Sequence, residues 1–82
     1  VFVVIEQYTF ESVTDTKVSV YDSKEKAILH FQYCCKKEKK DSWINELRDV
    51  NEEETETSYN AYVDGRASEY ETYIVVQEKE VW

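Results

Sequence analysis

The sequence predicts an α+β two-layer sandwich, in which one helix packs on one face of a four-stranded antiparallel sheet in the order ββαββ. Two observations support this prediction: residues alternate with a strand period near both ends of the chain, and apolar residues recur with a helix period in the middle. Two hairpins that flank a helix most simply join into one antiparallel sheet. We therefore expect residues 1–82 to form a single domain.

The first 21 residues predict a β-hairpin. Residues 1–10 are dense in β-branched and aromatic types, which favour strands. Residues 12–15 carry turn chemistry, because Ser, Thr and Asp side chains can hydrogen-bond to nearby backbone. Residues 17–21 then alternate, which places Val18 and Val20 on one face of the second strand.

The middle of the chain predicts a helix that begins at Asp22 or Ser23, either of which can accept hydrogen bonds from free helix amides. An apolar stripe about three turns long follows, formed by Ala27, Ile28, Phe31, Cys34 and Cys35. Two alternatives remain for the chain after this stripe. One helix continues to about residue 49, or a second begins after a cap at Asp41–Ser42. A break near Asp41 is favoured, because the later apolar residues drift around a straight helix.

The last part of the chain predicts a second hairpin. Residues 51–56 contain no apolar residue, so we expect a solvated, mobile loop. Residues 58–63 alternate, and Asp64-Gly65 is a strong turn signal because Gly tolerates positive φ. The return strand runs over residues 70–76, and the spacing predicts a bulged or longer turn.

These elements predict a core and an uncovered apolar face. The expected core residues are Val18, Val20, Ala27, Ile28, Phe31, Cys35, Ile74 and Val76. In the first strand, Val3 and Ile5 point one way and a larger apolar set points the other, and the helix can cover only one side. The larger set is a candidate homodimer face, namely Phe2, Val4, Tyr8 and Phe10. The alternative is that Trp43 or Trp82 covers it.

The charge balance excludes several classes of partner. The chain has 18 acidic and 10 basic residues, a net charge of −8. Binding to nucleic acid or to an anionic membrane surface requires a basic field, so we expect neither. The apolar run at residues 1–5 is far shorter than the roughly 20 residues of a membrane span and lacks the flanks of a signal peptide.

Most of the imbalance lies in the second hairpin. Residues 1–50 hold nine acids and eight bases, a net charge of −1, whereas residues 51–82 hold nine acids and two bases, a net charge of −7. Solubility alone accounts for such a charge in many small domains. A functional alternative is a carboxylate array that mimics DNA and occupies a basic groove of a nucleic-acid-handling protein. The candidate partner surface comprises Glu52, Glu53, Glu54, Glu56, Tyr59 and Tyr62.

Few residues suggest catalytic or metal chemistry. His30, Cys34 and Glu38 recur every four residues along the helix, and zinc accepts all three ligand types. The alternative is a helix flank with an exposed His30 and a half-buried Cys34. Structural zinc sites usually need four ligands from more than one segment, and the chain has no CxxC motif and no second histidine, so we expect no metal and no cofactor. Mid-helix thiols lack the activating field of a helix N-terminus, so we expect no catalytic residue and no enzyme.

Three stretches carry a resemblance to small acidic proteins of unknown function from gut-type bacteria and their mobile elements. They are the opening Val-Phe-Val-Val, the helix start at residues 22–27, and residues 61–66 leading into residues 73–76. The resemblance implies a cytoplasmic domain linked to mobile DNA, and it supplies no catalytic residue. Two adjacent cysteines are too few for a disulfide scaffold, which also favours a cytoplasmic location.

Taken together, these features predict a small non-enzymatic cytoplasmic protein-interaction module with an unidentified protein partner. Two alternatives stand beside it, which are the acidic DNA mimic and a homodimeric assembly or scaffold domain.

Overall fold

The computed structural model describes residues 1–41, 43–45 and 47–80. The described residues form five strands, one α-helix and a short 3-10 helix at Trp43–Asn45. In chain order the elements are β1 (Phe2–Phe10), β2 (Val13–Tyr21), α1 (Lys24–Asp41), β3 (Val50–Glu54), β4 (Ser58–Val63) and β5 (Tyr70–Glu78).

The strands form one antiparallel sheet in the order β2-β1-β5-β4-β3. Strand β5 returns to lie beside β1, so the first and last strands of the chain pair at the centre of the sheet, with Val4 opposite Val76. Helix α1 lies across one face of this sheet. The α+β prediction is confirmed at this level, and the sheet has five strands rather than four.

The additional strand is β3, where a mobile loop over residues 51–56 was expected. Its residues pair with β4 in antiparallel register from Val50 opposite Val63 to Glu54 opposite Tyr59. An edge strand needs no buried face, and its charged side chains stay in water while its backbone pairs with one neighbour. The acidic run therefore forms a strand despite having almost no apolar content.

In β1 and β2 the helix covers the opposite face from the one predicted, whereas Ile74 and Val76 of β5 are buried in the core as predicted. Val18 and Val20 were expected in the core, yet they are 61% and 62% exposed. They pair with Ile5 and Val3, whereas Val4 pairs with Val76. Because neighbours in a sheet share a face, placing Val76 under α1 also places Val4 there and turns Val18 and Val20 outward.

The predicted dimer face is therefore on the helix side. Val4 is fully buried, Phe2 and Tyr8 pack against the core, and Phe10 is 53% exposed. The aromatic ring of Phe10 meets that of Tyr70 edge to face at 5.6 Å. Trp43, proposed as a cover for this face, packs 5.9 Å from the Tyr70 ring. The second proposed cover, Trp82, lies outside the described residues.

Helix α1 follows the predicted pattern closely. The Ser23 hydroxyl accepts a hydrogen bond from the Lys26 amide at 3.3 Å, so Ser23 caps the helix. Ala27, Phe31, Cys34 and Cys35 are buried, and Ile28 packs beside them. The helix ends at Asp41, as favoured, and Ser42 lies outside the described residues. Across the described ranges, no helix is both long and apolar enough to cross a membrane.

The two hairpin turns differ from each other. Glu11 and Ser12 form a two-residue connection in which both residues have positive φ, 49° and 70°, as in a type I′ turn. This turn is tighter than the predicted one at residues 12–15. In the second hairpin, Gly65 has a φ of 76° and the Arg66 amide donates to the Val63 carbonyl. The predicted longer connection is confirmed, with Gly65 at the position of a type II turn that requires positive φ.

Candidate functional site

The face of the sheet turned away from α1 carries apolar or aromatic side chains at half of its positions over β2, β1 and β5. We call this surface the outer face. It is formed by alternate residues of the three strands, and neighbouring strands keep these residues in shared rows. Its apolar and aromatic members are Val3, Ile5, Val18, Val20, Tyr73 and Val75.

The outer face is almost free of charge. Apart from Glu71, every outward residue of β2, β1 and β5 is uncharged, although charged residues make up 34% of the chain. The polar members are threonines and glutamines. Among the described residues, α1 and the 3-10 helix both lie on the opposite face, so they do not cover this one. An uncharged and uncovered sheet face is typical of an interaction surface.

The predicted acidic surface is divided by the alternation of β3. Glu52 and Glu54 turn toward the helix side, whereas Glu53 turns outward and Glu56 lies beyond the strand. Glu54 accepts a bond from Lys39 Nζ at 2.5 Å. The structure therefore does not bring the four carboxylates together on one face.

The two tyrosines of that predicted surface also separate. Tyr59 is fully buried, and its hydroxyl donates to Glu52 Oε2 at 2.7 Å. Burial, and secondly this hydrogen bond, raise the pKa of Tyr59 well above its ordinary value, so the ring stays neutral. Tyr62 is half-buried on the outward side of β4, opposite Glu71.

A second group of polar residues lies on the helix side of the sheet, between β1 and α1. We call Glu6, Tyr8, His30 and Cys34 the polar cluster. Glu6 is 7% exposed, and its Oε1 accepts from the Tyr8 hydroxyl at 2.5 Å and from the Cys34 thiol at 3.2 Å. Two hydrogen-bond donors thus converge on one oxygen of a buried carboxylate.

His30 completes the polar cluster on the other carboxylate oxygen. Its Nε2 lies 3.7 Å from Glu6 Oε2, and its Nδ1 lies 2.7 Å from the Tyr21 hydroxyl. The Tyr21 and His30 rings also meet edge to face, with centroids 5.6 Å apart. A hydrogen bond between Nδ1–H and the Tyr21 oxygen would leave the Nε2 lone pair directed at the polar cluster.

The polar cluster opens on a cleft of about 440 Å³ beside α1. Besides cluster residues, its lining includes Lys17 from β2 and Lys37 and Glu38 from α1. Glu38, predicted to lie in line with His30 and Cys34, therefore borders the cleft. Among the described residues, the carboxylate whose oxygen lies within 4.8 Å of the ligand atoms of His30 and Cys34 is that of Glu6, and not the predicted Glu38.

Both cysteines are free, buried thiols. Burial, and then the Glu6 hydrogen bond, raise the pKa of Cys34 to about 12. Burial likewise raises the pKa of Cys35 to about 11. Lys39 opposes the shift at Cys35 but does not outweigh burial, so both thiols remain protonated at neutral pH, in which form they are poor nucleophiles.

Sequence reasoning found two members of the polar cluster, His30 and Cys34, and missed Glu6, Tyr8 and Tyr21. One signal was available: Glu6 interrupts an apolar strand on the side shared by Phe2 and Val4, so a buried carboxylate was implied once that side was assigned to the core. The Tyr21–His30 contact had no comparable signal.

Comparisons with protein families, with curated proteins and with solved structures find no match for this chain. The resemblance to small acidic bacterial proteins stays a prediction.

Proposed function

We propose that this protein is a non-enzymatic interaction module whose outer face binds a second copy of the chain. The observation that supports this is the uncharged apolar surface of Val18 and Val20, with the half-buried Ile5 and Val75 beside them, on a chain of net charge −8. The proposed homodimer forms by contact between two sheets, as the sequence suggested, but it uses the face opposite to the predicted one.

The chemistry of the outer face determines which partner it fits. A surface whose one charged residue is Glu71 has little to pair with a charged partner, and a charged partner would lose hydration on contact with it. The partner must therefore offer an uncharged apolar surface of matching shape. A second copy offers this surface, because a two-fold axis places the same patch on both sides of the contact.

The size of the sheet face is close to what a stable interface requires. At about 3.3 Å per residue and about 4.8 Å between strands, the 38 strand residues of the whole sheet cover roughly 600 Å², of which the 27 residues of β2, β1 and β5 cover roughly 430 Å². A standard protein interface buries about 800 Å² per partner. The apolar strands would form its centre, and outward polar residues of β4 and β3 its rim.

Burial of apolar side chains supplies the driving force. Val18 and Val20 expose 61% and 62% of their surface in the single chain. Fully burying a valine side chain contributes roughly 1.5–3 kcal/mol, and each dimer buries both residues twice. The sum is large enough to offset part of the entropy lost on association.

The DNA-mimic hypothesis stays a prediction with less support. A mimic needs a single array of carboxylates, and β3 directs Glu52 and Glu54 to one side and Glu53 to the other. Glu54 is also bonded to Lys39 of the chain itself. We therefore base the proposal on the outer face.

Sedimentation velocity tests the proposal, with Val18→Glu as the disrupting variant. At micromolar concentration we expect the wild type to sediment as a dimer of the 9.8 kDa chain, and V18E to sediment as a folded monomer. Val13→Glu is the matched control, because Val13 lies on the same strand and is 66% exposed, but faces the other way. V13E should remain dimeric.

Two results would contradict the proposal. A wild type that stays monomeric at high micromolar concentration removes the second copy as the partner. Equal dissociation of V18E and V13E would place the contact elsewhere, since only Val18 lies on the outer face.

A further inference from the structure

We propose that Glu6, His30 and Cys34 form a binding site for one Zn²⁺ ion, whose fourth coordination position opens on the cleft beside α1. This site lies on the helix side of the sheet. It is therefore separate from the outer face and independent of the proposed dimer.

The ligand atoms are already close to the spacing that zinc requires. Glu6 Oε2 lies 3.7 Å from His30 Nε2, and Cys34 Sγ lies 3.2 Å from Oε1, the second oxygen of the same carboxylate. All three ligand groups lie within 4.8 Å of one another. Tetrahedral zinc with bonds of about 2.0–2.3 Å separates its ligand atoms by roughly 3.3–3.8 Å, so small side-chain rotations suffice.

The backbone holds the three ligands from two elements. His30 and Cys34 are four residues apart, on one line of α1, and Glu6 reaches them from β1 in the centre of the sheet. Ligands on a helix and a paired strand are held more firmly than ligands on loops. The expectation of no metal counted only helix residues, and Glu6 adds the second segment.

Two tyrosines supply the outer contacts that zinc ligands usually have. The Tyr21 hydroxyl lies 2.7 Å from His30 Nδ1, the nitrogen that faces away from the site. The Tyr8 hydroxyl donates to Glu6 Oε1, which leaves Oε2 for the metal. Such contacts fix the tautomer of a histidine ligand and the orientation of a carboxylate ligand.

The burial of Glu6 is easier to explain with a cation than without one. A carboxylate beneath a helix is costly to desolvate, and an apolar residue there would favour folding. Zn²⁺ together with the Glu6 carboxylate and a Cys34 thiolate has no net charge, which suits a buried site. Binding breaks the Cys34 S–H bond, forms a Zn–S bond and releases one proton to water, with no change in oxidation state.

The fourth position would be filled by water from the cleft. Three protein ligands and one open position are the arrangement of zinc sites that remain accessible to solvent. The cleft of about 440 Å³ gives the ion a route to the ligands.

Titration of the full-length reduced protein with Co²⁺, followed by competition with Zn²⁺, tests the site. Cobalt substitutes for zinc and reports a bound thiolate through a charge-transfer band in the near ultraviolet. We expect one ion per chain, with the band present, and its displacement by one equivalent of Zn²⁺. Cys34→Ser should remove the band and weaken binding by about 100-fold or more, beyond the 10- to 100-fold typical of losing an outer contact.

Cys35→Ser is the matched control, because Cys35 is the neighbouring buried thiol and turns toward Lys39 and Glu54 instead. C35S should bind cobalt with the wild-type spectrum and affinity. A second variant guards against misfolding of C34S: His30→Gln, at a side chain 23% exposed, should keep the wild-type circular dichroism and also lose tight binding.

Three results would overturn the proposal. They are absence of the charge-transfer band in the wild type, retention of the band in C34S, and loss of the band in C35S with retention of fold. Because the site lies away from the outer face, V18E should bind cobalt as the wild type does, whether or not the protein dimerises.

Discussion

At the scale of single residues, Thr72 and Glu6 show two outcomes for a polar side chain beneath α1. Glu6 receives hydrogen bonds from Tyr8 and Cys34. The hydroxyl of Thr72 is also buried, but it has no hydrogen-bond partner among the described residues. A buried hydroxyl without a partner destabilises the folded state, whereas hydrogen bonds offset part of the cost of burying a carboxylate that can serve as a ligand.

We predict that Thr72→Val stabilises the protein. The variant removes the unsatisfied hydroxyl and keeps a β-branched side chain in a central strand, so the free energy of unfolding should rise by about 1 kcal/mol. Urea unfolding measures this. The matched control is Thr9→Val, because the Thr9 hydroxyl bonds to that of Thr14 at 2.8 Å. T9V should be neutral or destabilising, and a gain as large as that of T72V would contradict the argument.

At the scale of elements, β3 depends on its edge pairing and on two side-chain contacts. The backbone pairs with β4, and the Tyr59 hydroxyl donates to Glu52. Lys39 of α1 bonds to Glu54 and lies 5.1 Å from the centroid of the Tyr59 ring. Lys39 therefore links the helix to the edge of the sheet, which explains why an acidic segment stays folded.

We predict that Lys39→Met loosens β3 without unfolding the protein. Partly exposed ion pairs contribute at most about 1 kcal/mol, so the loss in global stability should be small. Local opening of β3 should become up to roughly fivefold more frequent, because about 1 kcal/mol changes an equilibrium by that factor. Amide hydrogen exchange of β3 measures it. Lys36→Met, at an exposed lysine three residues earlier, is the control and should leave β3 exchange unchanged.

At the scale of the whole molecule, charge and apolar surface are segregated. The net charge of −8 is concentrated after residue 50, while the outward residues of β2, β1 and β5 carry only Glu71. Association of two copies thus brings apolar surfaces together and acidic regions nearer to each other. Apolar attraction favours the dimer, and long-range repulsion opposes it.

We predict that salt strengthens the dimer. The screening length falls from about 30 Å at 0.01 M to about 8 Å at 0.15 M, so repulsion between the two chains weakens while apolar burial does not. Sedimentation equilibrium at the two concentrations should show a lower dissociation constant at higher salt. Capture of a basic partner by the acidic residues would instead weaken as the salt concentration rises. A dimer that weakens with salt would contradict contact through the outer face.

The local features of this protein were determined by the sequence itself. The cap at Ser23, the helical spacing of the apolar residues over 27–35 and the second hairpin depend on residues close together in the chain. Capping chemistry, helix period and turn residues are visible in such short segments. The α+β class follows from the order of these elements.

Only the tertiary structure determined which face of the sheet the helix covers and whether β3 joins the edge of the sheet. The pairing of β1 with β5 joins residues 60 to 76 positions apart, and no local pattern specifies the register of two distant strands. Because side chains alternate, a shift of one residue would exchange the two faces. That register left Val18 and Val20 exposed, and it placed Glu6 beneath His30 and Cys34. Both the interaction surface and the zinc site thus depend on a long-range pairing.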